Sequence, residues 1–136
     1  MANYKVIEVE GIGPVMAKQL NEVGINTTDE LLAACKTKKQ RKELAEKSGI
    51  SEKRILTFAN MVDLFRIHGV GGEYAELLEA AGVDTVVELA TRNAENLTQK
   101  MEEVNEEKNL VRRTPALKSV TGWIEEAKTL PRVLEY

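Results

Sequence analysis

Cysteine, histidine and aromatic residues are all scarce, and each scarcity closes off a class of protein. Cys35 is the only cysteine, so neither an intrachain disulfide framework nor a cysteine-based zinc site can form. A lone thiol fits a reducing cytoplasm. His68 is the only histidine, so Cys35 has no histidine base to make it a nucleophile and is expected to be buried or inert. Aromatic residues amount to 4%, and Phe58, Phe65, Tyr74 and Trp123 fall at helical spacing, which assigns them to a core rather than to base stacking. No apolar run is long enough for a signal peptide or a membrane span. Strand-like alternation is also missing outside short extended ends at 5–8 and 132–136. Those ends are expected to lie side by side and close the structure.

What is present is a doubled pattern. Val9-Glu10-Gly11-Ile12-Gly13-Pro14 is echoed by Ile67-His68-Gly69-Val70-Gly71-Gly72, and both copies run on into Gly-hydrophobic-x-Thr at Gly24–Thr27 and Gly82–Thr85. Gly11/Gly69, Gly13/Gly71, Ala17/Ala75, Leu20/Leu78, Gly24/Gly82 and Thr27/Thr85 all recur at one fixed offset. Glycines repeating in frame indicate an internal duplication. A later apolar pattern pairs Phe58 with Trp123 in a shifted frame, so the second half carries extra residues near Glu102–Thr114. The division expected is 1–66 and 67–136.

Hydrophobic-x-Gly-hydrophobic-Gly, with Ala four residues after the second Gly, is the signature of a helix-hairpin-helix element. A Cβ at either Gly would obstruct the close helix crossing. Ala17 and Ala75 keep the next turn small, and Ile12, Val70, Leu20 and Leu78 point to the core. Gly11, Gly13, Gly69 and Gly71, with the two alanines, therefore have a structural role. The free N–H groups at such a turn can also hold a phosphate. Pro14 removes one donor from hairpin one, whose nearest cation is Lys18. Glu73, Glu76 and Glu79 would repel a phosphate at hairpin two.

Start and stop signals predict helices from Pro14 to about Gly24, after Thr28 as a cap, and over 38–47. A long helix capped by Ser51 runs to about Arg66. Further helices are expected near 73–81, 86–92, 94–104 and 115–130. The last is expected to flank hairpin one, with lone Gly122 either weakening it or marking a close helix contact.

Charge is uneven. The net charge is −3, which gives no global field for nucleic acid. Yet 36–54 holds eight basic and three acidic side chains, a net of +5. Arg41–Phe58 also resembles a helix-turn-helix, although Glu52 and Asp63 disfavour base reading. Backbone contact by Lys38, Lys39, Arg41, Lys42, Lys53 and Arg54, together with Gly11, Gly13 and Lys18 of hairpin one, is the nucleic-acid expectation. Glu102, Glu103, Glu106 and Glu107 read as solvated surface.

Glu10-Gly11-Ile12-Gly13-Pro14, the stretch Arg41–Lys53, Gly69-Val70-Gly71, the run Leu77–Thr85 and Leu130-Pro131-Arg132-Val133 together resemble a bacterial family of tandem helix-hairpin-helix proteins. That family is catalogued as a domain of unknown function, number 4332. The resemblance spans nearly all of the chain and implies an all-helical fold. It brings no settled activity. The hairpins also look like those of flap nucleases and repair proteins, but the metal-binding carboxylate clusters of those enzymes have no counterpart.

The expectation is therefore an all-α protein of two pseudo-repeated halves packed as one unit. No enzyme activity, catalytic residue, metal or cofactor is expected. Two functions remain open: protein docking or self-association, and weak sequence-independent nucleic-acid binding. No contact with a membrane is expected.

Overall fold

The computed structural model describes residues 3–136; Met1 and Ala2, which open the half read as 1–66, lie outside the described residues. Its helices are α1 (Pro14–Glu22), α2 (Thr28–Ala33), α3 (Lys38–Ser48), α4 (Glu52–Leu64), α5 (Gly72–Ala80), α6 (Val86–Leu89), α7 (Ala94–Lys108) and α8 (Leu117–Thr129). A 3-10 turn at Val6–Glu8 precedes them. The only pairing of extended backbone among the described residues is an isolated antiparallel bridge between Lys5 and Thr27. The fold is all-α.

The duplication shows in how the helices start and stop. Thr27 caps α2 by accepting from the Glu30 N–H, and Thr85 caps α6 from the Glu88 N–H. Such a cap satisfies one of the orphan donors at a helix start. Thr27, not Thr28, is the first of these caps. The Thr28 hydroxyl instead accepts from the Tyr4 N–H at 3.0 Å and fastens the N-terminal segment. Left-handed residues end α3 at Gly49 and α7 at Asn109. The extra length of the second half lies in α7, with 15 residues against 11 in α3, and in the connection 109–116 that follows.

Packing repeats as well. Helix α4 lies on α2 and α3, and α8 lies on α6 and α7. A Cβ built on Gly11 would meet Phe58 Cε1 of α4 at 3.3 Å. One built on Gly69 would meet Trp123 Nε1 of α8 at 3.4 Å. Both glycines have positive φ, +91° and +88°, which an L side chain adopts only under strain. Each glycine turn is therefore roofed by the aromatic ring of its own half's closing helix. The expectation that the last helix would flank the first turn is corrected here: Trp123 holds α8 on the second turn. Helix α4 also packs on α5, so it serves both halves. Gly122 marks no close contact, since a Cβ there would meet nothing within 4 Å.

One core runs through both halves. Ile12, Leu20, Val70 and Leu78 are buried as expected, with Ala17 and Ala75 among them. Leu31, Ile55, Leu64 and Leu89 are fully buried, and truncating a leucine in such a setting costs about 2–5 kcal/mol.

The extended ends expected at 5–8 and 132–136 do not pair with each other. The N-terminal segment bonds to the α1–α2 connection, with Val6 N–H to Asn26 at 3.0 Å and Thr28 N–H to Tyr4 at 2.8 Å. Residues 131–136 leave α8 and return across the first half. Arg66 donates to the Pro131 carbonyl, the Glu135 N–H donates to Lys36 O at 2.7 Å, and Leu134 is buried. Extended backbone must send its polar groups somewhere, and here Asn26 and Thr28 serve the first end and Lys36, Arg41 and Arg66 the last.

Candidate functional site

The two glycine turns, at 9–13 and 67–71, sit side by side, and this decides what either can bind. A Cβ on Gly71 would lie 3.8 Å from Tyr4 Oη, and one on Gly72 would lie 3.6 Å from Glu8 O and 3.7 Å from Glu10 Cγ. The start of α5 is thus covered by the segment that leads into the first turn. Glu73 adds a carboxylate in the first turn of α5. Carboxylate side chains on Glu10 and Glu73 beside those N–H groups disfavour a phosphate there.

The first turn is open but acidic. Gly13 caps α1 with no side-chain partner, and Pro14 occupies the first helical position. The expectation that a Cβ at either glycine obstructs the crossing fails at Gly13, where one would meet nothing within 4 Å; Lys18 is exposed. Beside Gly11 lies a groove of about 280 Å³ whose walls include Glu10, Glu76, Glu79 and Arg54. Burial, followed by the charges of Glu10 and Glu73, raises the Glu76 carboxyl above its usual range. Burial, then Asp84 and Glu76, does the same to Glu79. Burial and then Glu88 raise Asp84. A cluster whose members already repel one another disfavours a further anion.

The basic stretch is different. Lys36, Lys38, Lys39, Lys42, Lys47, Lys53 and Arg54 are exposed. None of them joins an ion pair; those found among the described residues are Asp63–Arg66, Glu88–Arg92 and Glu125–Lys128. Lys38 and Lys39 stand in the first turn of α3, which holds no acidic residue. Cations at that positive end of the helix dipole cost about 0.3–1 kcal/mol each when unpartnered. Between α3, α4 and the C-terminal segment lies a cleft of about 420 Å³, lined by Lys38, Arg41, Glu52, Lys53, Leu56 and Tyr136.

Arg41 needs correcting. Read as one of the phosphate-facing cations, it is buried, on the face of α3 that also buries Leu44 and Ser48. Its guanidinium donates to Cys35 O at 2.8 Å, Lys36 O at 3.4 Å and Glu135 O at 2.8 Å. It also sits over the Tyr136 ring, 5.5 Å from the centroid. Its donors are spent on backbone carbonyls. The phase of Arg41 with Leu44 and Ser48 was the available signal.

A second buried polar cluster had no signal beyond an i, i+3 spacing. Asp63 accepts from Arg66 at 2.9 Å and from the Val86 N–H at 2.9 Å, and both charged residues are buried. Arg66 reaches on to the Pro131 carbonyl. One ion pair thereby joins α4, the start of α6 and the C-terminal segment. Asp63 faces inward rather than toward any nucleic acid.

His68 is exposed, and its backbone N–H donates to Glu126 Oε1 at 3.0 Å. Burial pushes the Cys35 thiol up to about 12, against a smaller opposing effect of Arg41. Glu102, Glu103, Glu106 and Glu107 lie exposed on α7. Among the described residues no three of His, Cys, Asp and Glu are grouped to hold a metal ion. No helix there is long and apolar enough to cross a membrane.

No curated protein and no solved structure matches the chain. The family model described as "Domain of unknown function (DUF4332)" matches residues 10–130, which takes in the glycines of both turns, the basic stretch and helices α1 to α8. The chain belongs to that family of unknown function.

Proposed function

We propose that the chain is a non-enzymatic helix-hairpin-helix interaction module, with both hairpins serving as framework and its contacts made to protein, either a partner chain or a second copy. The packing of Tyr4, Glu8 and Glu10 against the second turn carries this reading, since the Glu10 and Glu73 carboxylates beside it disfavour the anion that such hairpins otherwise hold. The open side of hairpin one supports it: Ile7 is 47% and Val15 74% exposed. Reversing charge at Lys18 tests the framework role. Lys18→Glu is expected to leave any DNA affinity unchanged, and a large loss overturns the reading. Light scattering against concentration tests self-association, with Val15→Glu expected to shift the mass toward monomer; a wild-type protein that stays monomeric throughout removes that form of the proposal.

A second reading is weak, sequence-independent nucleic-acid binding through the 36–54 stretch. The seven exposed and unpaired cations favour it. Fluorescence anisotropy with labelled DNA at low and moderate salt is the test. Backbone binding predicts affinity that falls linearly, on logarithmic axes, as salt rises. No binding at low salt removes this reading.

A further inference from the structure

We propose that the cleft between α3, α4 and the C-terminal segment binds single-stranded nucleic acid, with one base on the outer face of Tyr136 and flanking phosphates on Lys38 and Lys53. The proposal rests on the second reading above and narrows it to one place and one form of nucleic acid.

Several independent observations converge there. The cleft, at about 420 Å³, falls within the roughly 300–1,000 Å³ of sites that enclose small ligands. Tyr136 lines it and is 62% exposed, the most exposed aromatic side chain among the described residues. The ring is nevertheless fixed. Its hydroxyl donates to Asn60 Oδ1 at 2.7 Å, and the buried Arg41 guanidinium covers one face. A ring held at its edge and on one face, yet largely solvent-exposed, turns its other face outward. Lys38 and Lys53 stand on the same cleft, exposed and without ion-pair partners.

The pseudo-repeat shows that the fold does not need this arrangement. Where α3 has Lys38 and Lys39 in its first turn, its counterpart α7 has Glu95. The two lysines add charge at the positive end of a helix, a placement an anion would relieve.

The form of nucleic acid follows from the ring. A base inside a duplex is stacked on both faces and cannot meet an outside aromatic. Unpaired bases can, and aromatic stacking beside cations on the backbone is how single strands are held without sequence preference. Glu52 lines the same cleft and opposes phosphate, so its neutralisation acts in the direction opposite to loss of the lysines.

The test is anisotropy of labelled oligothymidylate and of a duplex of equal length against the full chain, at low and raised salt. The single strand should bind more tightly, and more weakly as salt rises. Lys38→Glu with Lys53→Glu should weaken binding roughly tenfold or more. Tyr136→Ala should cost roughly tenfold, while Tyr136→Phe, which keeps the ring and loses only the Asn60 bond, should cost less. Glu52→Gln should tighten binding. Circular dichroism melts of each variant separate loss of fold from loss of contact. If single strand and duplex bind alike and Tyr136→Ala changes nothing, the cleft proposal is overturned while binding by the basic stretch survives. If neither form binds at low salt, both fall.

Discussion

Arg41 donates to the carbonyl of Glu135 at 2.8 Å, across 94 positions of sequence. The same guanidinium holds Cys35 O and Lys36 O. Arg41→Met keeps most of the side-chain stem and removes every donor. It should destabilise the protein by about 1–3 kcal/mol, chiefly because the buried Cys35 carbonyl loses its partner; Lys36 O keeps the Glu135 N–H, and Glu135 is exposed to water. Urea unfolding measures this, and a cost below about 1 kcal/mol would show that the contacts are incidental.

Asp63 and Arg66 form a buried pair, so breaking it differs from replacing it. Asp63→Ala leaves a buried guanidinium without its carboxylate and should cost roughly 3–5 kcal/mol. Asp63→Leu combined with Arg66→Met should cost less than that single change, because no charge is left stranded. Equal or greater loss in the double variant would contradict this account.

The glycine turns give a contrast within one motif. Gly11→Ala and Gly69→Ala place a Cβ at positive φ and press on Phe58 or Trp123, for a cost of about 1–3 kcal/mol each. Gly13→Ala falls in extended backbone with open space around it and should stay within about 0.5 kcal/mol of wild type. Thermal melts of the three variants check the order.

The acidic cluster makes stability depend on pH in a stated direction. Glu76, Glu79 and Asp84 have raised values in the folded protein, so the native state binds their protons more readily than the unfolded chain does. The penalty of holding them charged, burial first and mutual repulsion second, is fully present above those raised values and is relieved as pH falls through them. Glu79→Gln should therefore raise the melting temperature at neutral pH, and the gain should shrink as the pH approaches the upper carboxylate range. A gain that does not vary with pH would refute the mechanism.

Cys35 is fully buried, with its thiol pushed up to about 12. An aromatic disulfide reagent at mildly alkaline pH should leave it unmodified until denaturant is added, because the thiolate is the reacting form. Fast reaction in the native protein would show that the α2–α3 connection opens readily.

The doubled glycines, the Ser51 cap and the basic helix were legible because they are local. A glycine pattern or a capping hydroxyl acts within four residues, and sequence displays that range. Thr28 misled by one position because Thr27 and Thr28 are both hydroxylated, and only the bond to Tyr4 separates their roles. Arg41 was obscured by its lysine neighbours, since a cationic run reads as solvated surface even when one member shares the phase of Leu44. Asp63 and the covering of Gly71 and Gly72 depend on Val86, Pro131, Tyr4 and Glu10, partners whose approach is a property of tertiary packing. In the candidate site, Lys38 and Lys53 were legible as cations. Tyr136 was not legible as part of it, because nothing local brings the last residue to α4.

The return of residues 131–136 across the first half has a consequence for the order of assembly. A ribosome delivers these residues only after α1 to α8 have been made. The carbonyls of Cys35 and Lys36, and the inner face of α3, therefore wait through the synthesis of the whole second half for the segment that seals them. The duplicated halves look modular in sequence. Yet the first half is sealed only once α8 has been made, and until then its unsealed surface lies at the α2–α3 connection.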